Sequence, residues 1–340
     1  MPTKEDLRYF QAMPLDIKIG LTQNRIREWV NYYGTDGVYV SFSGGKDSTV
    51  LLHIVRSMYP DIEAVFVNTG LEYPEIQKFV KTFDNVTILR PKMRFDEVIK
   101  KYGYPIIGKE VAMTIWYARK ESKWATNYLA GLNSKGEKHE FKKSMYSKYE
   151  PLTQTDFFIS DKCCGVMKEK PIDDYAKEYN KKPITAIMAS ESKKREMAWL
   201  RTGCNAFEGK KPMCKPMSFW TEQDVLQYIK QYNLPIASVY GDVVYEEQPD
   251  QLRFEECECG KLKTTGCNRT GCIFCAFGCH LEKEPSRFQR LKETHPKQYE
   301  YCIGGGEYVD GIWQPSKDGL GMGYVFDELN KIYGEGFIKY

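Results

Sequence analysis

A glycine-rich octapeptide that follows a strand-like run places the strongest constraint on how this chain folds. Residues 41–48 read Ser-Phe-Ser-Gly-Gly-Lys-Asp-Ser, after the apolar residues 38–40 and before a helix-like run. Glycines in such a turn let the backbone approach an anion closely, and the first amides of the helix point at it. Lys46 adds a cation, and Ser43 and Ser48 add hydroxyl groups. The segment therefore predicts a phosphate-binding loop at the end of a strand.

Asp47 is an unusual member of such a loop. A carboxylate beside phosphates repels them unless it binds Mg²⁺ or orients a hydrogen-bond donor. The loop is also not a Walker A sequence, because G-x-x-x-x-G-K-[ST] is absent. The alternative interpretation is an ordinary glycine turn, which would leave the lysine, the aspartate and the serines without a role. We therefore expect Mg²⁺ near Asp47.

Strand-like and helix-like runs alternate through the first third of the chain. Strand-like residues 38–41, 64–68 and 86–89 precede helix-like residues 48–58, 74–83 and 95–102 respectively. This alternation predicts an α/β fold with a doubly wound parallel sheet, in which ligands bind at the carboxyl ends of the strands. Two segments fall at such strand ends, the glycine-rich loop at 41–48 and residues 68–72. The expected nucleotide-binding residues are Ser41, Ser43, Gly44, Gly45, Lys46, Asp47, Ser48, Asn68, Thr69 and Gly70.

The pattern along the chain predicts four segments. They are a helical lead-in at 1–34, a nucleotide-binding α/β domain at 35–239, a cysteine-rich metal-binding module at 240–284, and a helical tail rich in glycine and aromatic residues at 285–340. A lysine-rich insertion interrupts the second segment at about 130–150. It is either a solvated surface insertion or an arm that contacts phosphates over the substrate entrance. Its lysines are Lys135, Lys138, Lys142, Lys143 and Lys148.

Composition and charge exclude several classes of protein. The chain has 340 residues, of which 42% are hydrophobic and 28% charged, as in an ordinary globular protein. Its formal net charge of +3 is too weak to demand a nucleic-acid partner. No apolar run approaches the ~20 residues that span a membrane, and the first residues do not form a signal peptide. We therefore expect a cytoplasmic protein without membrane contact.

Eleven cysteines, several only two to four residues apart, favour metal ligation over disulfide bonds. The densest run has the spacing C-x4-C-x2-C-x3-C, parts of which match the spacings of ferredoxins. Its members are Cys267, Cys272, Cys275 and Cys279. Upstream of it, Cys257 and Cys259 are too close for an ordinary zinc knuckle but can contribute to one.

A second group of cysteines is the adjacent pair Cys163 and Cys164. Neighbouring cysteines rarely form a disulfide with each other, because the geometry is strained. They can instead ligate two irons of one cluster. The isolated residues Cys204, Cys214 and Cys302 are expected to be ordinary buried thiols.

The octapeptide resembles the S-G-G-x-D-S loop of the ATP-pyrophosphatase (PP-loop) superfamily, which includes tRNA-thiolating enzymes and sulfonucleotide reductases. Residues 68–75, 189–195 and 215–225 look like blocks of the phosphoadenylyl-sulfate (PAPS) reductase-like family, with Asn68 in place of an aspartate. The resemblance implies the adenine nucleotide alpha hydrolase-like fold, binding of ATP or a related adenine nucleotide, and cleavage of ATP between its α and β phosphates. It also implies that Arg195 holds a phosphate or sulfate, for which its planar guanidinium is suited.

The cysteine pair extends the resemblance. With Lys168 and Pro171 it is similar to the C-C-x-x-x-K-x-x-P segment of adenylyl-sulfate reductases, where a C-C pair and a distant C-x-x-C hold a [4Fe–4S] cluster. The resemblance implies that the cluster ligands here are Cys163, Cys164, Cys272 and Cys275. The remaining residues Cys257, Cys259, Cys267 and Cys279 can form a zinc site. The competing set of ligands is Cys267, Cys272, Cys275 and Cys279.

Two departures from the reductases favour ATP activation. The reductases carry a nucleophilic cysteine near the C-terminus, whereas this sequence has no cysteine after Cys302, and its glycine loop keeps Asp47. We therefore expect an enzyme that adenylates an acceptor for sulfur transfer, with Lys46, Asp47 and Arg195 at the reacting phosphates. The acceptor can be tRNA, DNA or a small molecule, and a separate molecule donates the sulfur.

Two other functions stay open at this point. One is a sulfonucleotide reductase that uses Cys302, Cys279 or an external thiol as its nucleophile. The other is a non-catalytic nucleotide-binding subunit of a nucleic-acid complex. A homodimer or a larger assembly is compatible with each.

Overall fold

The computed structural model describes residues 2–133, 135–138, 146–209, 211–246 and 260–340. Its strands are β1 Val38–Ser41, β2 Ala64–Val67, β3 Val86–Leu89, β4 Ile106–Ile107, β5 Lys182–Ile184, β6 Asn205–Ala206, β7 Met213–Cys214, β8 Val243–Tyr245, β9 Leu262–Thr264, β10 Ala276–Phe277, β11 Glu307–Val309 and β12 Ile312–Gln314. Its α-helices are α1 Lys4–Ala12, α2 Leu15–Tyr33, α3 Lys46–Met58, α4 Pro74–Val80, α5 Phe95–Tyr102, α6 Lys109–Ala118, α7 Lys123–Leu129, α8 Lys162–Cys164, α9 Lys170–Glu178, α10 Lys193–Thr202, α11 Glu222–Gln231, α12 Arg287–Thr294, α13 Pro296–Ile303 and α14 Met322–Tyr333.

The largest described sheet has six strands in the order β3-β2-β1-β5-β7-β6. β1 pairs in parallel with β2 on one side and with β5 on the other, where Val40 lies opposite Ala64 and Ile184. β6 is an antiparallel strand at the edge. The predicted α/β fold with a doubly wound parallel sheet is confirmed. Since the chain moves outward from β1 in both directions, the end of β1 is a topological switch point, where ligands bind in such folds.

Contacts between Cα atoms divide the chain into two units, of which the first comprises residues 1–68, 72–90 and 172–271. Its core includes the strand residues Val38 and Val40 and much of α3, all with less than 2% exposure. A buried ion pair between Lys18 and Asp224 joins α2 to α11 at 2.7 Å. The sequence pattern Thr221-x-x-Asp224 predicts a helix cap, and the Thr221 hydroxyl does cap α11 by accepting the Asp224 amide hydrogen.

The second unit comprises residues 69–71, 91–171 and 272–340. β4 and β10 pair in parallel, with Ile106 opposite Ala276 and Ile107 opposite Phe277. This pairing matters for the site, because β10 begins directly after Cys275 and α6 begins two residues after β4. The pairing therefore brings Cys275 near Lys109 in the first turn of α6.

Several elements differ from the sequence-based expectation. The sequence pattern indicates one helix over 109–129, but the structure has two, α6 and α7, separated near Glu121, which has a φ of 59°. The sequence pattern also indicates a strand over 183–189, where the structure has the shorter β5. It indicates a helix over 286–301, which the structure divides into α12 and α13 before Pro296. Lys142 and Lys143 of the lysine-rich insertion lie outside the described residues, and the four-segment organisation of the chain stays a prediction. None of the described helices has the length and apolar character required to cross a membrane.

Candidate nucleotide-binding site and thiol cluster

The turn between β1 and α3 depends on its glycines. Gly44 has a φ of +70°, a conformation that L side chains rarely adopt, and a Cβ atom there would lie 2.7 Å from a methyl of Val80 and 2.8 Å from one of Ile76. Gly45 is the N-cap of α3 and gives it no side-chain cap. The first amides of the helix therefore lack the capping hydroxyl or carboxylate that many helices carry.

The two serines of the loop support the turn from within. The Ser48 hydroxyl accepts a hydrogen bond from the Ser43 amide at 3.1 Å and donates one to the Gly45 carbonyl at 3.0 Å. The two hydroxyls are 2.9 Å apart. The predicted loop residues thus form one hydrogen-bonded turn that presents the start of α3.

Lys46 is buried at this turn, with 3% exposure. Its ammonium donates to the Asn268 carbonyl at 2.7 Å and lies 3.0 Å from the Glu222 carboxylate. Its backbone amide donates to the Tyr240 hydroxyl at 3.2 Å, and that hydroxyl is 2.5 Å from the Thr270 hydroxyl. Burial raises the pKa of Tyr240 to about 12. Protein groups therefore occupy the positions at which the lysine and the first amide would meet a phosphate.

The Asp47 carboxylate is poorly compensated. Its Oδ1 is buried and has no hydrogen-bond partner among the described residues, although 31% of the side chain remains exposed. Burial raises the pKa of Asp47, and the charge of Glu222 adds to this, whereas Lys46, Arg269 and Arg195 act in the opposite direction. A buried carboxylate oxygen without a donor is an available ligand for a hard cation such as Mg²⁺.

Arg195 lies in the first turn of α10, where its amide donates to the hydroxyl of Ser192, the N-cap residue. Its guanidinium forms an ion pair with Glu191. Burial lowers the pKa of Arg195, and the nearby charge of Arg269 lowers it further, while Asp47 raises it. The structure thus brings Lys46, Asp47 and Arg195 into one electrostatic neighbourhood.

Four residues of this neighbourhood were missed by sequence reasoning: Glu222, Tyr240, Arg269 and Thr270. Glu222 begins α11, and the other three lie in the cysteine-rich segment 240–284. The local pattern contains no signal for them, because they reach the loop from more than 170 residues away in the chain.

The remaining predicted nucleotide-binding residues follow or end strands, as expected. Ser41 ends β1 and lies opposite Val65. Asn68 follows β2, where its amide donates to the Leu89 carbonyl at 2.9 Å. Thr69 accepts the Leu71 amide hydrogen, and Gly70 has a φ of +76° with open space where a Cβ would be. Their contact with a nucleotide stays a prediction.

In the second unit, Cys163 and Cys164 lie on the short helix α8. A π-helical turn, Gly165–Glu169, follows directly and leads into α9. Such wide turns are uncommon and occur frequently at functional sites. The turn places the two cysteines at an irregular point of an otherwise continuous helical segment.

The four cysteines preferred from the sequence lie within electrostatic range of one another. The Cys163 thiol donates a hydrogen bond to the Cys164 sulfur, which lowers the pKa of Cys164 to about 6, with further lowering by the Lys109 ammonium. The pKa of Cys163 is raised because its thiol donates this hydrogen bond and is buried. The charges of the neighbouring Cys275 and Cys272 raise it further. Several thiols therefore lie around one lysine, and their role as ligands of a metal cluster stays a prediction.

The other cysteines are placed differently. Burial raises the pKa of Cys279 to about 12, while Cys267 is partly exposed in the first unit. Cys257 and Cys259 lie outside the described residues. None of the nine described cysteines forms a disulfide. Within the described ranges, no three His, Cys, Asp or Glu side chains are placed to bind a single metal ion, so the zinc site stays a prediction.

The fold and the loop define an α/β protein of the PP-loop type. The family model described as "Phosphoadenosine phosphosulfate reductase domain" matches residues 37–128 and 127–277, which is more than half of the chain. The chain belongs to this family, as the sequence resemblance predicts.

Curated relatives are distant. An uncharacterized protein of Methanocaldococcus jannaschii is 24% identical over 268 residues, which are 77% of this chain and 46% of that protein. The chain therefore spans less than half the length of that relative. A phosphoadenosine 5'-phosphosulfate reductase of Xylella fastidiosa strain M23 is 20% identical over 235 residues, or 69% of this chain and 78% of that enzyme.

Solved structures are more distant still. The PAPS reductase of Candida auris in a phosphate complex aligns with a TM-score of 0.38 at 14% identity, covering 70% of this chain and 91% of that one. A U34-tRNA thiolase of Methanococcus maripaludis with its [4Fe-4S] cluster aligns with a TM-score of 0.33 at 17% identity. The alignment covers 65% of this chain and 66% of the thiolase chain. At such TM-scores these alignments carry no argument about function.

Proposed function

We propose that this protein binds ATP on residues 41–48, cleaves it between the α and β phosphates, and adenylates an acceptor that then receives sulfur. The observation that carries the proposal is the pairing of a buried Lys46 with Asp47, whose Oδ1 lies 4.0 Å from the Lys46 ammonium and has no hydrogen-bond partner among the described residues. A site that only binds a nucleotide gains nothing from a buried carboxylate, since it repels phosphate. A site that handles ATP with Mg²⁺ uses it as a ligand.

The residues of the loop have distinct roles in this reaction. An acceptor oxygen attacks the α phosphorus, the bond to the bridging oxygen breaks, and pyrophosphate leaves with the electron pair. The amides at the start of α3 and the Lys46 ammonium stabilise the charge that develops on the phosphate oxygens. Asp47 is the residue that would hold Mg²⁺, which when bound would neutralise charge on the leaving pyrophosphate. Arg195 orients the phosphates through its planar guanidinium.

The thiol cluster is the proposed site of a [4Fe–4S] group held by Cys163, Cys164, Cys272 and Cys275. When bound, that group supplies iron to which sulfide can attach. Lys109 lies beside the Cys164 sulfur and balances the negative charge of the thiolates. The lowered pKa of Cys164 favours the thiolate form that ligates metal.

The test is ATP turnover by anaerobically prepared protein whose iron, sulfide and zinc contents have been measured. We expect release of pyrophosphate in the presence of acceptor, and release of AMP when sulfide is also supplied and displaces AMP from the adenylated acceptor. Both releases should be lost in Lys46→Ala and Asp47→Ala. Asp36→Ala, at an exposed position just before β1, is the matched control and should keep full turnover. Failure of wild-type, cluster-loaded protein to release pyrophosphate with tRNA, DNA or small-molecule acceptors would contradict the proposal.

The second candidate is a sulfonucleotide reductase, which the Xylella fastidiosa relative favours. Cys302 has 0% exposure and Cys279 has 4%, so neither is placed as an accessible nucleophile and an external thiol would have to attack. Sulfite release from adenylyl sulfate or PAPS with thioredoxin, without pyrophosphate release from ATP, would establish this function instead.

A further inference from the structure

Residues 267–271, which we call the loop strap, lie against the phosphate loop in the first unit. The Asn268 carbonyl accepts the Lys46 ammonium at 2.7 Å. The Thr270 hydroxyl is 2.5 Å from the Tyr240 hydroxyl, and 3.7 Å from where a Cβ of Gly45 would be. Arg269 stands between these two contact residues, so its backbone is fixed at the edge of the loop.

The side chain of Arg269 is exposed. Its charge lowers the pKa values of both Asp47 and Arg195, which places it near both groups. Among the described residues it has no hydrogen bond and no ion pair with a carboxylate. It is a guanidinium that faces the site without a bonded partner.

The neighbouring cations are compensated in a different way. Lys46 has Glu222 at 3.0 Å, and Arg195 pairs with Glu191. Arg269 adds a further positive charge beside Arg195, and two guanidinium groups repel each other unless an anion lies between them. The arrangement is therefore more favourable with a multiply charged anion than without one.

We propose that Arg269 binds the pyrophosphate portion of a nucleoside triphosphate, opposite Arg195. This inference rests on the proposed function in taking ATP as the nucleotide. A single phosphate is served by Lys46 and by the amides at the start of α3. Two further arginines match the larger charge of a triphosphate, whose oxygens accept paired hydrogen bonds from a guanidinium.

The experiment measures equilibrium binding by calorimetry to wild type and Arg269→Ala, with AMP, α,β-methylene-ATP and inorganic pyrophosphate as ligands. We expect Arg269→Ala to weaken binding of the ATP analogue and of pyrophosphate by about tenfold or more, and to leave AMP binding unchanged. Arg269→Lys should keep part of the affinity. The control Lys263→Ala removes an equally exposed charge from β9 and should change none of the affinities.

A double-variant cycle tests the clamp itself. If Arg195 and Arg269 hold the same anion, the combined loss in Arg195→Ala/Arg269→Ala will differ from the sum of the single losses. If Arg269→Ala weakened the binding of AMP and of the ATP analogue equally, or weakened neither, the proposal would be overturned. Adenosine 3′,5′-bisphosphate is measured as a fourth ligand, and a loss of affinity in Arg269→Ala for this ligand alone would also overturn the proposal, because it would assign Arg269 to a 3′-phosphate.

These outcomes are separate from those of the proposed function. Wild-type protein that binds the ATP analogue through Arg269 but releases no pyrophosphate from ATP would contradict the adenylation chemistry and leave the arginine assignment intact. Protein that releases pyrophosphate, with unchanged affinities in Arg269→Ala, would do the reverse. Thermal unfolding of each variant confirms that the fold is retained.

Discussion

The Tyr240 hydroxyl accepts the backbone amide hydrogen of Lys46 at 3.2 Å, at the point where a phosphate oxygen would bind the start of α3. In Tyr240→Phe this amide loses its partner, which raises the free energy of the ligand-free protein. Phosphate binding to the variant then gives this unpaired amide an acceptor, so binding is more favourable than in wild type, where the phosphate must displace the tyrosine hydroxyl. We expect the variant to lose about 1 kcal/mol of stability and to bind pyrophosphate more tightly, measured by chemical unfolding and by calorimetry.

Tyr228→Phe is the matched control, because it also removes a buried tyrosine hydroxyl that contacts α3. In this case the contact is with the side chain of His53. It should lose similar stability without any change in pyrophosphate affinity. Weaker pyrophosphate binding in Tyr240→Phe would show that the hydroxyl itself contacts the ligand.

The buried ion pair between Lys18 and Asp224 predicts a large stability effect. The two side chains are 2% and 10% exposed, and the lysine also donates to the Gln11 carbonyl at 2.7 Å. Lys18→Met leaves the Asp224 carboxylate buried without its cation, which should cost about 3–5 kcal/mol. Urea unfolding monitored by circular dichroism measures the difference.

An exposed pair gives the comparison. Lys4 and Glu196 lie 3.4 Å apart with 64% and 30% exposure, so Lys4→Met should cost less than about 1 kcal/mol. Similar losses in Lys4→Met and Lys18→Met would mean that burial does not determine the strength of the α2–α11 connection.

Glu63 predicts a specific acid dependence of stability. Burial raises its pKa, but hydrogen bonds from Lys181 at 2.6 Å, from Tyr175 at 2.5 Å and from Thr87 outweigh burial, so the net pKa is lowered. A carboxyl whose pKa is lower in the folded than in the unfolded protein contributes stability at pH values above its unfolded-state pKa. This contribution is lost as the pH falls through the folded-state pKa. In Glu63→Gln, the free energy of unfolding should therefore vary less between about pH 5 and pH 3.

Urea unfolding at several pH values, for wild type and Glu63→Gln, tests this. Glu5→Gln, at an exposed position in α1, serves as the control and should retain the acid dependence of wild type. An unchanged slope in Glu63→Gln would assign the acid sensitivity to other carboxylates.

Lys109 predicts an effect on metal content. Its ammonium forms a hydrogen bond with the Cys164 sulfur and interacts with Cys163 and Cys275. In Lys109→Met the thiolates lose this cation and repel one another more strongly, so we expect lower iron and sulfide per chain after reconstitution and faster loss to a chelator. Lys123→Met, at the exposed start of α7, should reconstitute like wild type.

The features that the sequence predicted correctly are those set by neighbours along the chain. The strand–loop–helix at 38–58 and the capping of α11 by Thr221 depend on residues a few positions apart. Local propensity and turn chemistry determine such elements, so their order also yields the parallel sheet.

What sequence reasoning missed depends on long-range contacts. Lys46 meets Asn268 across 222 positions, and Tyr240 across 194. Arg269 had no reason to be singled out within a cysteine-rich stretch, because its relation to Arg195 exists only once the loop strap lies on the phosphate loop. The cysteine pair, by contrast, is recognisable from the sequence alone, since adjacent cysteines are chemically unusual even as a local pattern. Its role as a metal ligand stays a prediction.

Asp47 predicts opposite effects on stability and activity. Burial raises its pKa, so the folded state favours the protonated form. The associated stability is present below the unfolded pKa and is lost as pH rises through the folded value. At neutral pH the ionised carboxylate therefore lowers the stability of the folded state, because its Oδ1 has no hydrogen-bond donor among the described residues.

We expect Asp47→Asn to raise the melting temperature at pH 7 in the absence of nucleotide and Mg²⁺, with a smaller gain at pH 4. We expect the same variant to lose pyrophosphate release. A stabilised variant with full turnover would remove Asp47 from the chemistry, and a destabilised one would show that the carboxylate has a structural partner.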